Sequence, residues 1–194
     1  MDKYSYGLGL GIAQNLVSMG ANELNVDDFA QAVKDVLSGN NPAISFAEAQ
    51  EVVTAHFKEI QEKAAAAAIE QGEMFLKMNK ERPGVITTAS GLQYQVLQQG
   101  KGRRPKATDQ VRCHYEGRLV DGTLFDSSIE RGEPAVFGVN QVIPGWVEAL
   151  QLMCEGDKWK LFIPYQLGYG EQGAGQAIPP YSTLVFEVEL LKVL

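Results

Sequence analysis

Four short runs carry the side chains that could do chemistry. Val142-Ile143-Pro144-Gly145-Trp146 leads an apolar pair into a proline and then an indole. Proline suits the first turn of a helix, where its missing N–H would be unpaired anyway. Gly145 is expected to keep bulk away from whatever approaches, and the Trp146 indole to form a flat apolar floor. Asp121-Gly122-Thr123-Leu124-Phe125-Asp126-Ser127-Ser128 supplies a turn, an aromatic ring and a carboxylate. Tyr169-Gly170 adds a phenol, and Ala177-Ile178-Pro179-Pro180 a second apolar wall. Together they describe an aromatic pocket with few polar groups. Such a pocket suits gripping a ring and reshaping it rather than cleaving a bond.

Other chemistries find little support. The two cysteines, Cys113 and Cys154, form no C-x-x-C pair and are expected to be buried free thiols. The two histidines, His56 and His114, lie far apart, and no cluster has metal-ligand spacing, so no metal is expected. No Ser-His-Asp order or nucleophile elbow points to a hydrolase. A net charge of -7 argues against non-specific nucleic-acid binding, which needs a basic surface. No apolar run approaches the roughly 18 residues of a membrane span. Met1-Asp2-Lys3-Tyr4 lacks a charged-then-apolar leader, so the chain as written is expected to be cytoplasmic. A removed leader would make it periplasmic or surface-exported.

The elements that must position the pocket come in two textures, which meet near Arg82-Pro83-Gly84. Residues 1–82 are expected to form an all-helical domain and 83–194 a β-rich one. Asp2 precedes a helix to about Met19. Its Gly7 and Gly11 share one face, which suits close helix packing, as between subunits, better than phosphate binding. A second helix spans Val26 to Leu37, capped by Asn25 and ended by Gly39, with Phe29, Val33, Val36 and Leu37 as its apolar stripe. Ser45 and Glu48 form a capping box for a third helix over about 45–80. At 1.5 Å per residue that rod measures roughly 54 Å. Phe46, Val53, Ile60, Ala67 and Met74 recur every seven residues. The large groups lie in the first half, so the rod is expected to dock at its beginning and face solvent in its alanine-rich middle. About 82 helical residues make a thin core for one chain, and self-association is the simplest remedy.

After residue 83 the period changes. Leu92 to Leu97, Val111 to Tyr115, Trp159 to Ile163 and Leu184 to Leu190 alternate as strands do. One short helix fits between them, around Pro144 to Gln151. The expected class is α+β: an antiparallel sheet wrapped around one short helix, preceded by an all-helical domain with a long connecting helix.

These motifs, taken in order, resemble the FKBP-type peptidyl-prolyl cis-trans isomerases. The resemblance rests on Val111 through Leu119, Asp121 through Ser128, Val142 through Trp146, Tyr169-Gly170, and Ile178 through Leu191, and covers about 110 residues. The helical region and rod resemble the Mip-like bacterial subgroup in layout. The resemblance implies an isomerase of X–Pro bonds that assists protein folding and uses no cofactor. It also implies a V-shaped homodimer formed through residues 1–60. The implied partners are proline-containing peptides, partly folded proteins, and macrolide inhibitors such as rapamycin.

The site residues follow from the same resemblance. Tyr115, Phe125, Phe137, Trp146 and Phe186 match the aromatic walls and floor. Val142 and Ile143 match the rim, with the Ile143 N–H aimed at a substrate carbonyl. Asp126 matches the pocket carboxylate, Arg131 its basic partner, Tyr169 the loop phenol and Ile178 the opposing wall. Of these, Tyr115, Phe125, Asp126, Tyr169 and Phe186 are the implied catalytic set, and the others bind substrate. Ala135, Ala174 and Ala177 depart from the family pattern by being smaller, which bears on side-chain specificity and macrolide affinity. From the residues alone, Phe137 and Phe186 could equally be plain strand core. Asp126-Ser127-Ser128 could equally be a turn closed by its own side chains. The competing function is a non-catalytic module that grips proline segments while the helices act as a holdase or assembly factor.

Overall fold

Capping residues start the helices where the sequence places them. A computed structural model describes residues 1–194. In it Asp2 accepts from the Ser5 N–H at 2.8 Å and opens α1 (Lys3–Ser18). Asn25 accepts from the Asp27 and Asp28 N–H groups and opens α2 (Val26–Ser38), which Gly39 ends in the left-handed conformation. Ser45 accepts from the Glu48 N–H at 3.2 Å ahead of α3 (Phe46–Asn79). No helix is long and apolar enough to cross a membrane.

The chain forms two compact units, residues 1–64 and 65–194. The helical texture ends at Arg82, but the units divide earlier, inside α3. Within 1–64 no residue of the single chain is buried. Tyr4, Leu8, Leu37, Phe46, Val52 and Val53 are all exposed.

The second unit holds the rest of α3, seven strands and α4 (Pro144–Leu152). The strands are β1 (Val85–Thr87), β2 (Gln93–Gln98), β3 (Gln110–Leu119), β4 (Leu124–Ser127), β5 (Ala135–Gly138), β6 (Lys158–Ile163) and β7 (Leu184–Val193). They pair antiparallel in the order β1-β2-β6-β7-β3-β4, and β5 also pairs with β3. Alternation puts Val111, Cys113 and Tyr115 of β3, and Leu184, Phe186, Val188 and Leu190 of β7, on one buried face. Trp146, Ala149 and Leu150 of α4 pack into that face, so the sheet closes around the helix.

Two expectations need correction here. The rod docks at its end and not only in its first half: Phe57 and Ile60 are half-buried, Ile60 beside Gly20, but its fully buried residues are Gly72 and Asn79. Phe75 meets Phe162 with ring centroids 6.0 Å apart. Asn79 donates to the Gln93 side chain at 2.8 Å, and Gln93 donates back to the Leu76 carbonyl at 2.9 Å. The sheet offers Phe75 and Leu76 an apolar surface, whereas Phe46 and Val53 meet none within the chain. Both thiols are free as expected, but only Cys113 is buried; Cys154 is half-buried. Burial pushes the Cys113 thiol up to about 12, so it stays protonated and inert.

Candidate active site

The cup is built on β3, β4, β5, β7 and the start of α4. Pro144 occupies the first turn of α4 and turns Trp146 into the core at 4 % exposure. Three rings stand nearly edge-on around its indole. Tyr115 lies 5.3 Å away at 88°, Phe186 5.3 Å at 82°, and Phe137 5.7 Å at 80°. These are the offset geometries that aromatic quadrupoles favour. The buried indole N–H has no acceptor, so packing alone holds the floor. Phe125 closes one side, 5.4 Å from Phe186 at 84°.

A bulge decides which side chains enter the cup. Gly117 pairs with Asp126 and Arg118 with Leu124, which leaves Phe125 as an extra residue in β4. In a regular strand Phe125 and Asp126 would face opposite ways. The bulge aims both at the cavity, the use to which bulges beside active sites are put. Gly117 makes the space, because a Cβ there would sit 2.5 Å from the Phe125 ring and 2.6 Å from that of Phe186.

The resulting cavity measures about 420 Å³ and opens to solvent. It brings together Tyr115, Phe125, Asp126, Phe137, Val142, Ile143, Trp146, Tyr169, Ile178 and Phe186, with Ala174 and Ala177 on the far wall. Phe137 and Phe186 are thus walls as well as core. The far wall is fixed by a tight turn in which Ala174 and Ile178 exchange backbone hydrogen bonds of 2.9 and 3.1 Å. The Ile143 backbone N–H makes no hydrogen bond within the chain.

Three outcomes differ from the sequence reading. Arg131 pairs with Asp126 as expected but is not among the residues lining the cup. Gln141 lines the cup although nothing in the sequence singled it out; a lone glutamine in a short 3-10 turn carries no pattern. Gly145 makes room for the core instead of for a ligand, since a Cβ there would lie 2.7 Å from Ile163 of β6.

The polar groups form one connected set. Tyr115 donates its hydroxyl hydrogen to Asp126 at 2.5 Å, and Arg131 donates to Asp126 and, at 2.8 Å, to the Tyr115 oxygen. Partial burial alone would raise the Asp126 carboxyl. The hydrogen bonds from Tyr115 and Arg131 outweigh it and hold the group below its ordinary 3.8. Burial, and then the nearby Asp126 charge, raise the Tyr115 and Tyr169 phenols, which therefore stay protonated and able to donate at neutral pH.

A carboxyl lowered on folding stabilises the native state above its unfolded value and loses that contribution as pH falls through the folded one. The stability gap between wild type and Asp126→Asn should therefore be constant from about pH 5 to 7 and narrow below about pH 4. The Asp126 side chain is 40 % exposed. Solvent screening should hold the gap to about 1 kcal/mol or less. Urea titrations of both proteins from pH 3 to 7 check this, and a gap unchanged at pH 3 would refute it.

Comparison with known proteins decides the family. Residues 101–191 match the FKBP-type peptidyl-prolyl cis-trans isomerase domain, and residues 1–96 match the domain amino-terminal to it. The FKBP-type 22 kDa peptidyl-prolyl cis-trans isomerase of Escherichia coli K12 is 49% identical over 98% of this chain and 94% of its own length. The chain belongs to the FKBP-type peptidyl-prolyl cis-trans isomerases. The outer membrane protein MIP of Legionella longbeachae is 38% identical over 99% of this chain and 85% of its own. The crystal structure of FkpA from Escherichia coli superposes with a TM-score of 0.82 at 37% identity, covering 98% of this chain and 93% of that one. The isomerase is thus an enzyme that interconverts cis and trans X–Pro bonds, and its family implies a pocket for proline peptides and macrolides.

Proposed function

We propose that the cup lowers the barrier by surrounding a twisted X–Pro bond with apolar rings while fixed donors hold its ends. The observation that carries this is the edge-on circle of Tyr115, Phe137 and Phe186 about the Trp146 floor. Rotation about a peptide bond costs about 18–20 kcal/mol, and X–Pro isomerisation unaided takes tens to hundreds of seconds. Resonance in the planar amide places negative charge on oxygen, which water solvates well. Twisting removes that charge. An apolar surround takes away the planar form's advantage and so binds the twisted form relatively better. No bond to the protein is made or broken, so the step calls for no nucleophile and no cofactor.

In this reading Trp146 carries the proline ring and Phe125, Phe137 and Phe186 close its sides. Val142 and Ile178 flank the entering chain. The unpaired Ile143 N–H takes a substrate carbonyl, and Tyr169 orients the other end. Asp126 acts through Tyr115 and Arg131, fixing the Tyr115 ring and setting the local field. It removes no proton, because none has to leave. The same apolar floor suits macrolides such as rapamycin.

The helical unit serves clients larger than a peptide. Residues 1–60 pair two copies, a reading supported by the bare apolar residues of α1 and α3 and by the empty space around Gly7 and Gly11. Two cups on one client raise effective affinity when both engage, which favours partly folded chains. The full chain and the unit 65–194 should then turn over a short proline tetrapeptide within about two-fold of each other. The full chain should be dimeric by light scattering and should accelerate a proline-limited refolding reaction about ten-fold more, below the roughly 100-fold at which the gains from linkage usually begin. Equal acceleration of refolding by both would overturn the role given to the helices.

A further inference from the structure

Beside the cup lies an open groove of about 390 Å³, lined by Leu124, Phe125, Asp126, Ser127, Glu130 and Arg131. It shares Phe125 and Asp126 with the cup, so a chain leaving the cup past Asp126 enters it directly. The loop that forms its outer edge is already organised. Ser127 accepts from the Glu130 N–H at 3.1 Å, and Gly132 donates to the Ile129 carbonyl at 3.0 Å.

The charges in the groove do not cancel. Asp126 is neutralised by Arg131, whose two terminal nitrogens are both turned inward, to Asp126 and to the Tyr115 oxygen. Glu130 is exposed and forms no ion pair. One free carboxylate therefore faces whatever lies in the groove, which Leu124 and Phe125 also line. A lysine or arginine fits both features, with its methylenes along the rings and its charge at Glu130.

We infer that this groove is a subsite for a basic residue flanking the proline of the client, with Glu130 as its specificity-determining group. The inference rests on the proposed placement of the proline over Trp146. It adds a charge preference to a cup that is itself almost blind to charge.

The test uses the full chain and proline peptides that differ only in carrying Lys or Glu two positions before or two positions after the proline. At low ionic strength the wild type should prefer the Lys peptide in kcat/KM by about three-fold at one of the two positions, as expected of a single solvent-facing charge pair. Salt at 0.5 M should erase most of that ratio. Glu130→Gln should flatten the preference and Glu130→Lys should reverse it. Glu130 is on the surface, so neither variant threatens the fold. Turnover of all peptides with no charge preference, or a preference unchanged in Glu130→Lys, would sink the subsite alone. Turnover of none would sink the isomerase assignment of the cup and the subsite with it.

Discussion

Replacing Trp146 by alanine should cost the protein about 3–5 kcal/mol of stability, the range for emptying a large aromatic site in a packed core. The residue is almost wholly buried and is the one ring that Tyr115, Phe137 and Phe186 all touch. Its removal takes away the floor of the cup and the support of three walls together. Tetrapeptide kcat/KM should fall by at least about 100-fold, equivalent to roughly 2.7 kcal/mol of lost transition-state stabilisation. Unfolding and loss of the floor have to be separated. Trp146→Phe keeps an aromatic plane of smaller area and should remain folded at 25 °C while losing about ten-fold in kcat/KM. Denaturant melts beside the peptide assay check both variants. A folded Trp146→Ala protein with near wild-type turnover would mean that the indole is not the surface on which the proline turns.

The second large effect is expected at the other end of the domain. Gly72 sits in α3 directly against Thr183, at the start of β7. A Cβ at position 72 would overlap the Thr183 oxygen, well inside van der Waals contact distance, and would lie only 3.2 Å from its Cβ. Thr183 is itself buried. Glycine in a helix interior ordinarily costs about 1 kcal/mol relative to alanine, so the residue stands there against its own helical preference. Close approach of helix to sheet is the reason. Gly72→Ala should lose about 1–2 kcal/mol net, overpacking outweighing the gain in helix propensity. Gly72→Val should lose about 3 kcal/mol or more, because a branched group cannot be absorbed there. Adding Thr183→Ala removes the oxygen that clashes and should recover much of the loss in Gly72→Ala. Thermal melts of the two single variants and the double variant decide the matter through their coupling. Strict additivity would show that Gly72 and Thr183 do not meet.

Much of this molecule was legible in its sequence because the signals are local. Asp2, Asn25, Ser45 and Gly39 cap helices through neighbours within a few residues, and all four act where expected. The alternation in β3 and β7 comes from one buried face and is visible in the order of residues alone. Strands β1 and β4 escaped notice, being three and four residues long and held by pairing with β2 and β3 rather than by any pattern of their own. The run from Asp121 to Ser128 reads as a turn, and part of it is one: Asp121 accepts from the Thr123 N–H at 2.9 Å. Its second half becomes a strand only because β3 lies beside it.

The pocket divides along the same line. Residue types and their order pointed to an aromatic, sparsely polar cup, and the family resemblance named its rings; from the residues alone Phe137 and Phe186 could as well have been core, because a residue's identity does not say which neighbours it will meet. Folding decided the rest. It moved Phe125 and Asp126 to one face through a bulge, left Arg131 paired to Asp126 outside the cup's lining, and added Gln141. It turned Gly145 toward Ile163, and placed Gly72 where only a hydrogen fits. Each of these depends on distances between residues far apart in the chain. A sequence records what each residue is, but the partner that comes within a few ångströms is fixed only when the strands pair and the helices pack.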